Sequence, residues 1–344
     1  MQRQSHAEGV IGGSRGLAPA IDAKTSGADR LKFYKSVDGY RAITEWYESL
    51  VEKIGVPFEA LYVNTRFGRT HMLAAGSSSA PPLFLISGVA GCAPLWRKQL
   101  ESLSANFRVH ALDIPGQPGR SDPNPPSFLN DDYSNWLLDV LDDLGIDSAH
   151  LAGVSAGAWI AMRFASLHPD RVRKVVMLGP TGISSARLPV KIWLGRVAQK
   201  WKNADVLQDD LTAKSVSSKS PGGTFGTFDR QLARAMALCT RHYRVDRSLG
   251  IYNEATGKVN LWQGLKVLRK FFLPEPESVL RQFRMPGLLI FGEHEVLYDP
   301  QAVGRKARNL MGDIRVEVVA GAGHAAIYDR PELVDALVTD FLSA

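Results

Sequence analysis

The pentapeptide Gly153-Val154-Ser155-Ala156-Gly157 carries the sharpest chemical signal in the sequence. It lies between an apolar run, Ala149-His150-Leu151-Ala152, and a helix-like stretch from Trp159 to Leu167. A nucleophile on so tight a strand-to-helix turn must adopt strained backbone angles, and small neighbours are required because the adjacent chain passes close. The turn would lift the Ser155 hydroxyl clear of a sheet and set a helix N-terminus, with its unpaired N–H groups, beneath the reacting centre. A bare Gly-x-Ser-x-Gly match is weak, but in this strand–turn–helix setting it points to nucleophilic catalysis.

A serine hydroxyl is a poor nucleophile at neutral pH and needs a base within hydrogen-bond reach, itself oriented by an acid. His324, in Gly321-Ala322-Gly323-His324, follows the last strand-like run and precedes the last helix-like one. Glu295, in Gly292-Glu293-His294-Glu295, follows the preceding strand; Asp299, four residues on, is the alternative acid. All three roles then fall on loops at the C-terminal ends of strands, the edge at which open α/β sheets bind ligands.

The elements that must position these groups can be read from periodicity. A helix is expected around Tyr40–Ile54, with Ala42, Ile43, Trp46, Leu50 and Val51 on one face. Two strands, Phe58–Val63 and Thr70–Ala74, flank an Asn/Gly-containing connector and predict a hairpin. From Leu83 onward, continuous apolar runs alternate with helical spacings: Leu83–Ile86, Phe107–Leu112, Ala149–Ala152 and Val175–Leu178 read as strands. Such runs suit strands buried on both faces, and their alternation with helices implies a mostly parallel sheet. The rhythm stops for about a hundred residues, with helical stretches at Leu188–Lys202 and Phe228–Arg241 and a loop at Ser217–Gly226. It resumes with Leu288–Phe291, a helix near Pro300–Leu310, the strand Ile314–Val319, and a helix Pro331–Leu342 with Leu333, Leu337 and Phe341 on its apolar stripe. The expected domains are a loosely ordered tail over 1–30, an α/β core of 31–180 and 286–344, and a helical insertion over 181–285.

Taken together, four segments resemble the α/β-hydrolase superfamily, over about residues 58–344. They are Asp113-Ile114-Pro115-Gly116-Gln117-Pro118-Gly119-Arg120-Ser121-Asp122, the turn at Ser155, Gly292 to Glu295, and Gly323-His324 ahead of Arg330-Pro331-Glu332. The order Ser…acid…His is that family's order. The resemblance implies a mostly parallel eight-stranded sheet with helices on both faces, a Ser155–His324–Glu295 triad, a lid formed by residues 181–285, and oxyanion donors at the Val89 and Ala156 N–H groups. Two departures stand out: the acid is Glu where Asp is usual, and Ser87-Gly88 stands where relatives often show His-Gly. An oxyanion hole uses backbone N–H groups, so the second change need not remove it.

Composition narrows the classes. Of 344 residues, 45% are hydrophobic and 22% charged, which excludes wholesale disorder, collagen-like repeats and a coiled coil. No apolar run approaches the length of a membrane span, the two cysteines cannot make a disulfide framework, and no Cys/His spacing suits a zinc site. The start lacks the apolar centre of a secretory signal, so a cytoplasmic location is expected, with neither metal nor organic cofactor. Residues 181–285 hold 18 Lys and Arg against 8 Asp and Glu, whereas the rest of the chain holds 23 against 27. Such a basic segment suits an acidic substrate or carrier protein, but a solvated helical face is the simpler reading, and no motif supports nucleic-acid binding. Arg230, Arg234, Arg241, Arg244 and Arg247 are read as such a face, and Trp193, Trp201, Phe225, Phe228, Tyr243, Trp262, Phe271 and Phe272 as the insertion's own core. Cys92 and Cys239 are expected to be buried fillers, and His71, His110 and His150 packed histidines. The Asp113–Asp122 loop is expected to be structural.

The sequence therefore predicts a serine hydrolase acting on an ester or related acyl bond of a small molecule. Thioester cleavage, acyl transfer or cyclisation, C–C bond cleavage, and a binding protein without turnover are the alternatives the same scaffold allows.

Overall fold

The computed structural model describes residues 10–11, 27–187 and 227–344. The expected helix 188–202, the loop 217–226, Trp193, Trp201, Phe225 and most of the expected tail lie outside the described residues. The chain divides into two compact units, one of Met1–His150 and His242–Val267, the other of Leu151–Arg241 and Leu268–Ala344.

In the first unit the strands β1 (Val10–Ile11), β2 (Phe58–Thr65), β3 (Gly68–Ala75), β4 (Pro82–Ile86) and β5 (Arg108–Leu112) lie in the order β1-β2-β3-β5-β4. β2 and β3 form the expected hairpin, in register from Phe58↔Ala75 to Thr65↔Gly68. β5 is antiparallel to β3 and parallel to β4. Leu83, Phe84, Leu85 and Ile86 are fully buried, as their unbroken apolar run requires. The helix expected from Tyr40 begins earlier and spans Val37–Val51, because the Ser36 hydroxyl accepts a bond from Gly39 N–H and caps it. Its buried stripe is Ile43, Tyr47 and Leu50, so Tyr47 faces inward where Trp46 was expected. The spacing of four and three residues explains the stripe, and the Tyr47 hydroxyl finds a buried partner described below.

In the second unit β6 (Ala149–Val154), which straddles the division, is followed by β7 (Val172–Leu178), β10 (Gly287–Gly292) and β11 (Ile314–Val319) in that order. β7 runs parallel to β10, and β10 to β11, in register from Gly287↔Ile314 to Gly292↔Val319. The helix Ala156–Leu167 follows β6, and Pro300–Leu310 joins β10 to β11. The last helix, Pro331–Ser343, buries Val334, Val338 and Leu342 and leaves Leu333 exposed. Both of its stripes are apolar at a spacing of four, so periodicity cannot choose between them; packing chooses.

Within the expected insertion, the described residues 227–241 and 268–285 belong to the second unit and 242–267 to the first. The latter hold the short antiparallel pair β8 (Tyr252–Asn253) and β9 (Lys258–Val259). Tyr243 packs edge-on against Tyr34, with ring centres 5.1 Å apart, and gives its hydroxyl to Gly116 O at 2.8 Å. Trp262, expected in the core, is 78% exposed: the helix Leu261–Phe272 turns Val267 inward instead. Arg230, Arg234 and Arg241 lie on the open side of the helix Arg230–His242, and Arg247 pairs with Glu254 while stacking over Tyr252. Among the described residues no helix is long and apolar enough to cross a membrane.

Candidate active site

Ser155 sits at the junction of β6 and its following helix with φ 54° and ψ −113°. Among the described residues it is one of two non-glycine positions with positive φ; the other is Ala90. Such a conformation costs on the order of 1–3 kcal/mol and survives only where the surroundings impose it. Here they do. Ser155 N–H donates to Leu178 O at the end of β7 at 2.8 Å, and Ser155 O accepts from Trp159 N–H at 3.1 Å. A Cβ added at Gly153 would stand 2.3 Å from Gly157 O, which explains the glycine at 153. Ala156 is the first residue of the helix, where N–H groups lack intrahelical partners.

His324 and Glu295 lie on the loops that follow β11 and β10. These loops touch: His294 N–H donates to Ala322 O at 2.9 Å, and a Cβ at Gly292 would be 2.2 Å from Gly323 O. The contact brings the two side chains together. The Glu295 oxygens stand 2.8 and 3.0 Å from His324 Nδ1, and one of them also accepts Leu297 N–H. Both residues are buried. Burial pushes the Glu295 carboxyl up, but the charge and hydrogen bond of His324 and the N–H groups of Leu297 and Tyr298 outweigh it, so it is held below the carboxylate range. Burial likewise pushes His324 down, and the charge and hydrogen bond of Glu295, with a smaller contribution from the charge of Asp329, bring it net above its ordinary value. The ring lies against the end of β7, where a Cβ on Gly179 would be 2.8 Å from its Cε1. Ser155 and His324 thus meet the same strand end, at Leu178–Gly179. His324 Nε2 is buried and has no hydrogen-bond partner among the described residues.

Asp299, the alternative acid, is engaged elsewhere. It caps the helix Pro300–Leu310, accepting from Gln301 and Ala302 N–H, and pairs with Arg187 at 2.8 Å. His294 has its Nε2 3.8 Å from a Glu293 oxygen and its ring centre 5.7 Å from that of Phe228. His110 is stacked on Phe84 and driven down to about 3 chiefly by burial, and the buried Cys239 thiol is pushed up to about 12.

Val89 belongs to the first unit, on a loop whose neighbours are tightly held. Ala90, at φ 63°, gives its N–H to Gln117 Oε1 at 2.8 Å, and Ala93 N–H donates to Asp113 Oδ1 at 2.7 Å. The other Asp113 oxygen accepts from the Tyr47 hydroxyl and His71 Nδ1, each at 2.8 Å, and from Arg120 N–H at 3.0 Å. Asp113 and His71 are fully buried. Burial alone would raise the Asp113 carboxyl; the His71 contact and the two backbone donors hold it below its usual range. The sequence gives no sign of this cluster, because Tyr47, His71 and Asp113 are far apart in the chain: His71 reads as a packed histidine, Asp113 as part of a structural loop, and Tyr47 is not among the residues of the expected apolar face.

The family model described as the α/β hydrolase fold matches residues 81–331. The chain is 30% identical over 302 residues, 87% of its own length and 92% of the relative's, to an uncharacterised carboxylesterase, nap, of Bacillus subtilis. It is 29% identical over 312 residues to the carboxylesterase YbfK of the same organism, covering 91% of this chain and 94% of that one. Among solved structures, the carboxylesterase CesB (YbfK) of Bacillus subtilis superposes with a TM-score of 0.70 at 27% identity, over 89% of this chain and 99% of that one. The naproxen esterase from Bacillus subtilis gives 0.70 at 26% identity, over 90% and 99%. With its elbow serine, its buried His–Glu pair and this match over most of its length, the chain belongs to the α/β-hydrolase family.

Proposed function

We propose that the protein is a serine carboxylesterase acting on a small-molecule ester through Ser155, His324 and Glu295. The observation that carries this reading is the buried His324–Glu295 pair, whose imidazole packs against the strand end, Leu178–Gly179, that also accepts the Ser155 N–H, with Nε2 buried and without a hydrogen-bond partner among the described residues. The curated relatives that match over most of the chain are carboxylesterases.

In this mechanism His324 Nε2 takes the Ser155 proton as Oγ attacks the ester carbonyl carbon. Glu295 holds Nδ1–H, fixes the tautomer and stabilises the imidazolium that forms. The N–H group of Ala156, at the helix N-terminus beside Ser155, receives the oxyanion, such a donor contributing roughly 3–4 kcal/mol in enzymes of this kind. His324 then returns the proton to the leaving alcohol. Water, activated by the same imidazole, attacks the acyl-enzyme, and the acid leaves with Ser155 restored.

The test is fluorophosphonate labelling alongside p-nitrophenyl ester turnover. Wild type labels at a single serine, and Ser155→Ala loses both labelling and turnover while melting as a folded protein. Persistent labelling of Ser155→Ala removes the assignment.

A further inference from the structure

Asp329 lies five residues beyond His324 and has no role in the chemistry above, yet its carboxylate joins two separate segments of the second unit. One oxygen accepts three bonds where the chain enters the helix Arg230–His242: from Thr227 Oγ1 at 2.7 Å, Phe228 N–H at 2.7 Å and Asp229 N–H at 2.9 Å. The other accepts Gly323 N–H, the residue before His324, at 2.8 Å. Thr227 is fully buried. The remaining charges nearby have their own contacts: the Asp229 carboxylate caps Leu232 N–H, Arg330 reaches Gly321 O, and Glu293 takes Gly321 N–H with His294 at 3.8 Å. His324 itself faces Glu295 on one side, with the Tyr298 ring 6.5 Å away.

We propose that Asp329 is a positioning residue that couples the entry to the 230–242 helix, at Thr227–Asp229, to the placement of the catalytic His324 loop. This rests on the triad reading. The geometry gives the reason: four donors converge on one carboxylate, so a shift of residues 227–229 pulls on Gly323 and hence on the imidazole. An amide at position 329 offers one acceptor oxygen for two directions, so it must release one of the two segments. Reactive groups misplaced by about an ångström can lose rate on the order of 100-fold. The same carboxylate faces His324 with negative charge and favours its protonated form.

The experiment compares full-length wild type, Asp329→Asn and Thr227→Val. The readouts are the pH dependence of fluorophosphonate labelling, kcat and KM on p-nitrophenyl acetate, and thermal melting. Asp329→Asn labels about 10- to 100-fold more slowly at its plateau, with KM nearly unchanged and the acid-limb midpoint moved to lower pH. Thr227→Val keeps the charge and the Gly323 bond; it slows labelling by about 3- to 10-fold, the effect of one hydrogen bond, and leaves the midpoint in place. A folded Asp329→Asn with wild-type rate and midpoint overturns the proposal, as does a lowered melting temperature with unchanged kinetics. Should Asp329→Asn not fold, wild-type labelling by Thr227→Val overturns it instead. A wild type that does not label at all refutes the triad reading, and the proposal with it.

Discussion

Glu295 is one methylene longer than the Asp usual at this place, yet both its oxygens stand within 3.0 Å of His324 Nδ1. Its placement against the ring is fixed by Glu295 N–H bonded to Gly292 O and by one carboxylate oxygen that accepts Leu297 N–H. The pairing sets the pH behaviour. In the proposed mechanism the base must be neutral to work, so kcat/KM is expected to climb as pH rises through the His324 pKa, which Glu295 holds above the ordinary 6.5. The acid-limb midpoint of wild type is therefore expected above that value. Glu295→Gln removes the negative partner: the midpoint falls, and the plateau of kcat drops on the order of 10³- to 10⁴-fold because the imidazolium loses its support. A pH profile of both proteins decides it; a midpoint that stays put in Glu295→Gln separates the acid from the base.

At the scale of elements, the site is assembled by close approaches that only glycine permits. A Cβ at Gly292 would overlap Gly323 O and Ala322 O, at 2.2 and 2.3 Å, so Gly292→Ala must part the loops that carry Glu295 and His324. Its expected outcome is a loss of several kcal/mol of stability, or insolubility, with activity falling further than the melt alone explains. Urea unfolding with ester turnover measures both. Gly145→Ala is the contrast, since nothing lies within 4 Å of an added Cβ there: its φ of +66° costs about 1 kcal/mol of strain, and activity stays at the wild-type level.

At the scale of the whole molecule, two buried ionic clusters bear on stability. Asp113 holds Tyr47, His71 and two backbone N–H groups in the first unit. Asp113→Ala strands those donors in the interior and is expected to cost about 3–5 kcal/mol, read as a lower urea midpoint. Glu295 and His324 form the other cluster. His324, raised on folding, contributes stability that is present below about pH 6.5 and is lost as pH climbs through its folded pKa. Glu295, depressed, contributes stability present above about 4.5 and lost as pH falls through its folded value. The pair therefore supports the fold most between those limits, while the proposed mechanism needs the higher pH at which His324 is neutral. Melting temperature is expected to decline from pH 6 to pH 9 in wild type and less steeply in Glu295→Gln.

The sequence by itself determined the parts that depend on local pattern. Ser155 was legible because strand, small-residue turn and helix are contiguous, and His324 and Glu295 because each follows an apolar strand by a few residues. Buried strands such as Leu83–Ile86 announce themselves by an unbroken apolar run, since both faces are covered. What only the tertiary structure decided involves partners distant in the chain. It turned Val334, Val338 and Leu342 inward instead of Leu333, Leu337 and Phe341, and left Trp262 exposed. It chose Glu295 over Asp299 for contact with the imidazole by giving Asp299 a helix to cap and Arg187 to pair with. It also joined Asp113 to His71 and Asp329 to Thr227, because a buried charge must find donors wherever the fold brings them, and that distance leaves no periodic trace in the sequence.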